Sequence, residues 1–190
     1  GRNDFIVHWA TDNKRQLLVY TAKSDGTFYE GVNYSTTNTH NLTTYPCKLM
    51  MGDCNNDGKS DFIVMWKNSA GKRNLLVYKG TVSSGKGTFT AGVSSSSVRS
   101  YIDSDPVYVG DFTGDGKDDV LVEWTLSTNG CRQLLNYCAG SNGAYSEGVD
   151  TATTNINNDS VNHFFIFFIK TKTYCFAKHC FGNNGFFIKT

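Results

Sequence analysis

The sequence predicts an all-β protein built from tandem repeats, and three observations support this prediction. First, the 17 acidic residues comprise 14 Asp and only 3 Glu, and Asp favours turns whereas Glu favours exposed helix faces. Second, 19 Gly among 190 residues disfavour a helical bundle, while 39% hydrophobic and 14% aromatic residues exclude a disordered chain. Third, three blocks of sequence recur in the same order along the chain.

The repeat is defined by these blocks and by their matched spacing. The first block begins at Gly1, Gly58 and Gly116, which are 57 and 58 residues apart, and it ends in Trp. The second block runs from Arg to Tyr, and the third joins Gly and an aromatic residue to a later Gly-Val. The copies lie at 1–9, 58–66 and 116–124, at 15–20, 73–78 and 132–137, and at 26–32, 87–93 and 143–149. Such tandem units are typical of proteins that stack one repeat on the next.

Each repeat is predicted to contain four short strands. In the second repeat these strands are expected at 48–51, 61–66, 75–78 and 88–93. The second strand is continuously apolar, which indicates a strand covered on both faces. Turn residues at 67–72 and 80–87 supply the hairpin connections. Four-stranded units in tandem fit β-propeller blades better than a sandwich.

The repeats divide the chain into 1–46, 47–104 and 105–160, followed by an atypical segment at 161–190. The first repeat begins in mid-motif, so we expect either a fragment or a first strand supplied from elsewhere. Three blades are fewer than the usual closed ring of about 4–8, which favours a fragment or a self-assembling array. The atypical segment is interpreted as a cap, a docking strand or an incorrect gene model.

Two aspartate-rich loops precede the second strands of repeats two and three. We call residues 53–61 the first Asp loop and residues 111–119 the second Asp loop. Both place oxygen-bearing side chains at positions 1, 3, 5 and 9, a glycine at position 6 and a backbone carbonyl at position 7, which is a spacing that suits Ca²⁺. The candidate ligands are Asp53, Asn55, Asp57, Lys59 and Asp61 in the first loop, and Asp111, Thr113, Asp115, Lys117 and Asp119 in the second.

These loops predict about two structural calcium sites, and the alternative is that they are solvated turns without metal. An EF-hand is excluded because position 12 is Val64 or Val122 rather than a bidentate Glu. No coordination position is evidently left open for chemistry.

The residues 110–119 and 52–61 resemble the FG-GAP/VCBS repeats of integrin-α-type β-propellers. Cys54 stands where that pattern usually has an aromatic residue, as Phe112 does in the second loop. The resemblance covers about residues 1–160. It implies a seven-bladed propeller, calcium in the loops, and a role in adhesion, ligand binding or lectin-like glycan recognition.

The remaining features fit a secreted protein. N-glycosylation sequons begin at Asn33, Asn41 and Asn158. Trp9, Trp66 and Trp124 share one repeat position and Tyr20, Tyr78 and Tyr137 another, which predicts packing between blades rather than a sugar-stacking surface. Six cysteines indicate disulfides, with Cys47–Cys54 and Cys131–Cys138 as local pairs among several connectivities. The Cys175 to Cys180 stretch lacks zinc spacing.

The sequence predicts a binding module rather than an enzyme. It has no nucleophile elbow, phosphate loop or zinc-protease motif, and its four histidines share no repeat position. A net charge of +1 gives no reason to expect nucleic acid, and the apolar run at 164–169 is too short for a membrane span. We expect a secreted calcium-binding module for glycans or extracellular proteins. The alternatives are an extracellular filament or sheath subunit that self-associates through incomplete blades, and the accessory propeller of a larger enzyme.

Overall fold

The computed structural model describes residues 4–11, 14–36, 47–126, 130–156, 175–176 and 187–188. Over these residues the chain forms strands and no helix, so the all-β prediction is confirmed. The strands are β1 (Phe5–Thr11), β2 (Lys14–Ala22), β3 (Phe28–Glu30), β4 (Tyr34–Ser35), β5 (Cys47–Gly52), β6 (Asp61–Lys67), β7 (Lys72–Tyr78), β8 (Gly80–Ser83), β9 (Lys86–Phe89), β10 (Val93–Ser100), β11 (Val107–Gly110), β12 (Asp119–Thr125), β13 (Cys131–Ala139), β14 (Tyr145–Ile156), β15 (Cys175–Phe176) and β16 (Phe187–Ile188).

Three four-stranded sheets follow one another along the chain. Sheet 1 has the order β1-β2-β3, with β4 also paired to β2; sheet 2 has the order β5-β6-β7-β10; and sheet 3 has the order β11-β12-β13-β14. Two further hairpins pair β8 with β9 and β15 with β16. Each four-stranded sheet lies within one predicted repeat, as propeller-like blades require.

The predicted fourth strand of repeat two, at 88–93, is wrong. The strand that pairs with β7 is β10, whereas β9 pairs with β8 in a separate hairpin. Ser84 and Gly85 have φ angles of 50° and 74°, and two left-handed residues in succession make the tight turn that joins β8 to β9. The other three predicted strands of this repeat are confirmed as β5, β6 and β7.

Two apolar clusters lie on opposite faces of sheet 2. Successive side chains of a strand point to opposite faces, so Phe62, Val64 and Trp66 pack with Leu17 and Val19 of sheet 1. The alternate residues of β6 and β7 pack instead with sheet 3, in a cluster that contains Ile63, Met65, Leu75, Val77, Val120, Val122, Leu135 and Tyr137. The continuously apolar sequence of β6 is therefore explained by burial on both faces.

The glycine of the Gly-Val pair in the third block is required by a close approach between backbones. An ideal Cβ on Gly92 would lie 2.8 Å from the carbonyl oxygen of Val77, and one on Gly148 would lie 2.6 Å from that of Asn136. Real Cβ atoms do not approach an oxygen so closely, so only glycine fits without a shift of the chain. The third-block glycine thus recurs because the fourth strand runs tightly against the third.

The chain packs as two units. The first comprises Gly1–Trp124 with Leu134–Thr151 and contains sheets 1 and 2 and both apolar clusters. The second comprises Thr125–Gln133 with Ala152–Thr190. In it, the Leu126 N–H donates to the Cys131 carbonyl at 2.9 Å, and β15 pairs with β16. Most of the predicted atypical segment lies outside the described residues, and the division into four segments stays a prediction.

Candidate functional site

The first Asp loop joins β5 to β6 and is organised by hydrogen bonds from its own backbone. The Asp53 carboxylate accepts the N–H groups of Asp57 at 3.0 Å and of Gly58 at 2.9 Å. The Asn55 side-chain oxygen also accepts the Asp57 N–H, at 3.0 Å, and the Asp57 carboxylate accepts the Lys59 N–H at 2.9 Å. Gly58 has a φ of 81°, which the turn needs. The side chains at positions 1, 3 and 5 are therefore held by one turn.

The second Asp loop joins β11 to β12 and folds in the same way. The Asp111 carboxylate accepts the N–H groups of Asp115 at 3.1 Å and of Gly116 at 2.9 Å. The Asp115 carboxylate accepts the Lys117 N–H at 3.0 Å and a hydrogen bond from the Thr113 hydroxyl. Two loops 58 residues apart in the sequence thus share one geometry at positions 1, 3, 5, 6 and 7.

A lysine at position 7 neutralises the carboxylate at position 5 of each loop. The Lys59 ammonium lies 3.2 Å from the Asp57 carboxylate, and the Lys117 ammonium pairs with Asp115. Burial alone would raise the pKa of Asp57, but hydrogen bonds from Lys59 and Asn55 outweigh it and lower that pKa. Hydrogen bonds from the Lys117 side chain and backbone likewise lower the pKa of Asp115. Both carboxylates are therefore ionised at neutral pH.

The carboxylates at position 9 point into the sheets. Asp61 and Asp119 are fully buried. The Asp61 carboxylate accepts the N–H groups of Gly80 at 2.8 Å and of Cys54 at 3.0 Å. The Asp119 carboxylate accepts the Ala139 N–H at 2.8 Å. Each position-9 aspartate thus caps the chain at the end of the third strand of its own sheet.

Asp4 performs the same role in sheet 1. Its carboxylate accepts the Ala22 N–H, at the end of β2, at a distance of 2.8 Å, but in an exposed setting.

The buried setting of Asp61 also affects its ionisation. Burial raises the pKa of the Asp61 carboxyl, and the hydrogen bonds from Gly80 and Cys54 oppose that shift. The sequence prediction assigned position 9 to metal alone and missed this structural role.

The two Asp loops contact each other through Asp118, a residue that the sequence analysis did not single out. Its carboxylate accepts the Asp53 N–H at 2.7 Å, and its own N–H donates to the Asp53 carbonyl at 2.8 Å. A Cβ on Gly116 would lie 2.7 Å from the Asn56 amide nitrogen, so the loops also touch there. The sequence offered one signal for this contact: position 8 is an additional aspartate in the second Asp loop, whereas the first loop has Ser60 there.

The family model described as an FG-GAP-like repeat matches residues 53–122. The matched stretch begins at the first residue of the first Asp loop and extends through the second loop into β12. Residues 53–122 are therefore similar to an FG-GAP-like repeat. Comparisons with curated proteins and with solved structures gave no match. In the described part of the chain, no helix is long and apolar enough to cross a bilayer.

In the FG-GAP-like repeat, Cys54 is a buried neutral thiol. Its sulfur lies 2.9 Å from the Tyr145 hydroxyl, which donates to the Asp118 carbonyl at 3.1 Å. Burial raises the pKa of the Cys54 thiol to about 12. Cys54, Cys47 and Cys138 are free thiols, so the local pairs Cys47–Cys54 and Cys131–Cys138 do not form. Cys180 lies outside the described residues.

The donor atoms of the two loops suit a hard cation such as Ca²⁺. Each loop offers only oxygen at positions 1, 3, 5 and 7, the chemistry that calcium prefers. Within the described residues, no three His, Cys, Asp or Glu side chains come together to hold a metal. Position 3 of each loop is Asn55 or Thr113 rather than a carboxylate, so each loop has two carboxylates among positions 1, 3 and 5. The position-9 carboxylate is bonded to backbone N–H groups. The donor types at positions 1, 3, 5 and 7 are thus those that calcium takes, although the position-1 carboxylate also accepts backbone N–H groups.

The repeated aromatic residues differ in burial from one repeat to the next. Trp66, Tyr78 and Tyr137 are buried, as the packing interpretation expects. Trp9 is 38% exposed. The guanidinium of Arg73 lies over the Trp124 ring, 5.2 Å from its centre.

Of the three predicted glycosylation sites, only Asn33 lies within the described residues. Its side chain is exposed and donates to the Gln16 side-chain oxygen at 2.8 Å. The next two residues of this sequon form β4. Asn41 and Asn158 lie outside the described residues.

Proposed function

We propose that this chain is an extracellular, calcium-stabilised binding module in which each Asp loop holds one Ca²⁺. The observation that carries the proposal is the shared geometry of the two loops. In both, the position-1 aspartate accepts backbone N–H groups of positions 5 and 6. These hydrogen bonds fix the turn before any metal binds, so calcium would select an arrangement that the chain already favours.

Asp53, Asn55 and Asp57, with the Lys59 carbonyl, would hold the first ion. Asp111, Thr113 and Asp115, with the Lys117 carbonyl, would hold the second. A bound Ca²⁺ supplies positive charge that offsets the repulsion between carboxylates in one short loop. The ammonium groups of Lys59 and Lys117 lie against Asp57 and Asp115, so calcium binding would displace them from these carboxylates.

Each Asp loop leads directly into the second strand of its sheet, β6 or β12. The sequence carries no recognisable catalytic motif, and FG-GAP-like repeats are typically extracellular. We therefore propose recognition of a glycan or an extracellular protein rather than catalysis.

Thermal unfolding with Ca²⁺, with Mg²⁺ and with EDTA tests the calcium sites. A ligand that binds only the folded state at 100 times its dissociation constant stabilises by about 2.7 kcal/mol per site. For a chain of this size, each 1 kcal/mol raises the melting temperature by about 2–4 °C. We expect a rise with Ca²⁺ and little change with Mg²⁺, because Mg²⁺ demands a tighter octahedral site.

The variants Asp57→Asn and Asp115→Asn keep the size and one acceptor oxygen but remove the charge. Each should remove about half of the calcium-dependent rise. Asp25→Asn is the matched control, because Asp25 is an exposed aspartate that accepts the Thr27 N–H outside both loops. A melting temperature unchanged by Ca²⁺ in the parent protein would contradict the proposed function.

A further inference from the structure

Arg15, the first residue of the second block in repeat one, is a buried cation. It is 2% exposed, and it lies on β2 opposite Ala10. An arginine guanidinium stays protonated in proteins, so its positive charge is fixed. Burying a fixed charge is costly unless an opposite charge and hydrogen bonds compensate for it.

The described residues compensate for little of the Arg15 charge. Its Nη1 donates to Nε2 of His8 at 3.2 Å, because a guanidinium has only donors. An imidazole that accepts this bond is neutral and brings no negative charge. No carboxylate of the described residues forms an ion pair with Arg15, and its Nε is buried without a hydrogen-bond partner among them.

Arg73 holds the same repeat position in sheet 2, and its charge is paired. Its Nη2 lies 2.7 Å from the Asp105 carboxylate, and the two side chains are 4% and 8% exposed. Its Nη1 donates to the Tyr137 hydroxyl at 3.4 Å. Removing one partner of a buried ion pair is strongly destabilising, because an uncompensated charge remains. A carboxylate thus balances the arginine between sheets 2 and 3.

The residue that corresponds to Asp105 one repeat earlier is Cys47. Continued by two residues, the register of β11 with β12 places Asp105 opposite Trp124. In sheet 2, Cys47 lies opposite Trp66, which shares its repeat position with Trp124. A thiol therefore stands at the repeat position of the carboxylate.

Cys47 also lies on the side of sheet 2 that Arg15 faces. It packs against the apolar cluster that contains Leu17 and Trp66. Leu17 is two residues beyond Arg15 on β2, so their side chains point to the same face of sheet 1. The two sheet interfaces therefore differ in one respect: the arginine recurs, and its carboxylate does not.

The rest of the sequence offers few acidic groups for this place. Residues 37–46, which precede β5, contain no Asp or Glu. Asp12 is the acidic residue nearest to Arg15 in the sequence, and it lies outside the described residues. In the corresponding turn of sheet 2, residues 69–70 are exposed, whereas the buried Arg73 takes its carboxylate from the start of the next repeat.

We propose that a small monovalent anion, chloride, binds to the Arg15 guanidinium between sheets 1 and 2. It takes the place that the Asp105 carboxylate has between sheets 2 and 3. Chloride balances the fixed charge and accepts the Nε donor. A single buried positive charge favours a monovalent ion over sulfate or phosphate, because a second negative charge would be buried without compensation. The role of this anion is structural, and it does not depend on calcium.

Thermal unfolding of the full chain in EDTA tests the inference, with sodium chloride compared with sodium gluconate at equal ionic strength. Gluconate is much larger than chloride and does not fit a buried site. At ten times its dissociation constant, chloride shifts the folding equilibrium about 11-fold, equivalent to about 1.4 kcal/mol. The melting temperature should then be about 3–6 °C higher in chloride.

Two variants identify the site. Cys47→Asp supplies a carboxylate at the repeat position of Asp105, so its melting temperature should be the same in both salts. Cys47→Asn is the matched control, because it has the shape of aspartate without the charge, and it should keep the rise in chloride. Arg15→Met removes the buried charge and should lose that rise.

Equal melting temperatures of the parent protein in the two salts would overturn the proposal. A rise in chloride that persists in both Arg15→Met and Cys47→Asp would do the same, because the anion would bind elsewhere. Asp12→Asn decides whether that carboxylate balances Arg15 instead. If only Asp12→Asn responds to chloride and the parent does not, Asp12 is the counter-charge and the proposal is wrong. Because these melts contain EDTA, their outcome is independent of the calcium-dependent rise.

Discussion

Replacing Asp61 by alanine should destabilise the protein whether or not calcium is present. The variant removes the acceptor of two N–H groups, those of Gly80 and Cys54, at a fully buried position. Leaving a buried donor without an acceptor costs about 1–3 kcal/mol each. The burial that raises the pKa of Asp61 also makes its charge costly, and alanine relieves that cost. The two donors together give a range of about 2–6 kcal/mol, and the relieved charge places the net loss in its lower part, at about 2–4 kcal/mol.

Denaturant unfolding in EDTA measures this loss, with Asp4→Ala as the internal comparison. Asp4 accepts the equivalent N–H, that of Ala22, in an exposed setting, where water can replace the carboxylate. The Asp4 variant should lose less than about 1 kcal/mol. If Asp61→Ala were as stable as the parent in EDTA and weaker only in Ca²⁺, Asp61 would be a metal ligand and the capping argument would be refuted.

Two further predictions concern Asp118 and His8. Asp118→Ala should cost about 1 kcal/mol in denaturant unfolding, because the Asp53 N–H loses its acceptor, and Asp118→Asn should restore most of it; equal losses in both variants would exclude this contact. Burial and the Arg15 guanidinium lower the pKa of His8 from 6.5. Because the folded-state pKa is depressed, the stability that His8 contributes is present above pH 6.5 and lost as pH falls through the folded-state pKa. Melting temperatures in EDTA between pH 7 and 5 should fall less steeply for His8→Gln, and parallel profiles would contradict the assignment.

The sequence predicted the parts of the fold that depend on local pattern. β6 could be found because an apolar run bounded by turn residues is typical of a strand covered on both sides. β9 was misassigned because its four residues, Lys86–Phe89, form a strand only through pairing with β8. Strand preference reflects such neighbours more than it reflects the residues themselves. The Ser84-Gly85 turn between them was the local signal, and it was interpreted as part of a longer connection.

The candidate site was predictable to the same extent. The spacing of Asp53, Asn55, Asp57 and Gly58 reports a turn that the backbone makes within one loop, and the structure contains that turn. The partner of Asp61 lies nineteen residues away at Gly80, and that of Asp118 lies sixty-five residues away at Asp53. Spacing within a motif carries no information about contacts at such separations, because they depend on how sheets 2 and 3 pack.

This distinction divides the aspartate motif into two parts with different physical explanations. Asp4, Asp61 and Asp119 each accept a backbone N–H at the end of the neighbouring strand that follows their own along the chain, so the recurrence of position 9 needs no metal. Positions 1, 3 and 5 have no comparable role outside their own loop, and there the side chains bring negative charge close together against a single lysine. The proposed calcium ions therefore concern positions 1, 3 and 5, and not position 9. The Asp118–Asp53 contact then means that an ion in either loop would act on a turn already bonded to the other.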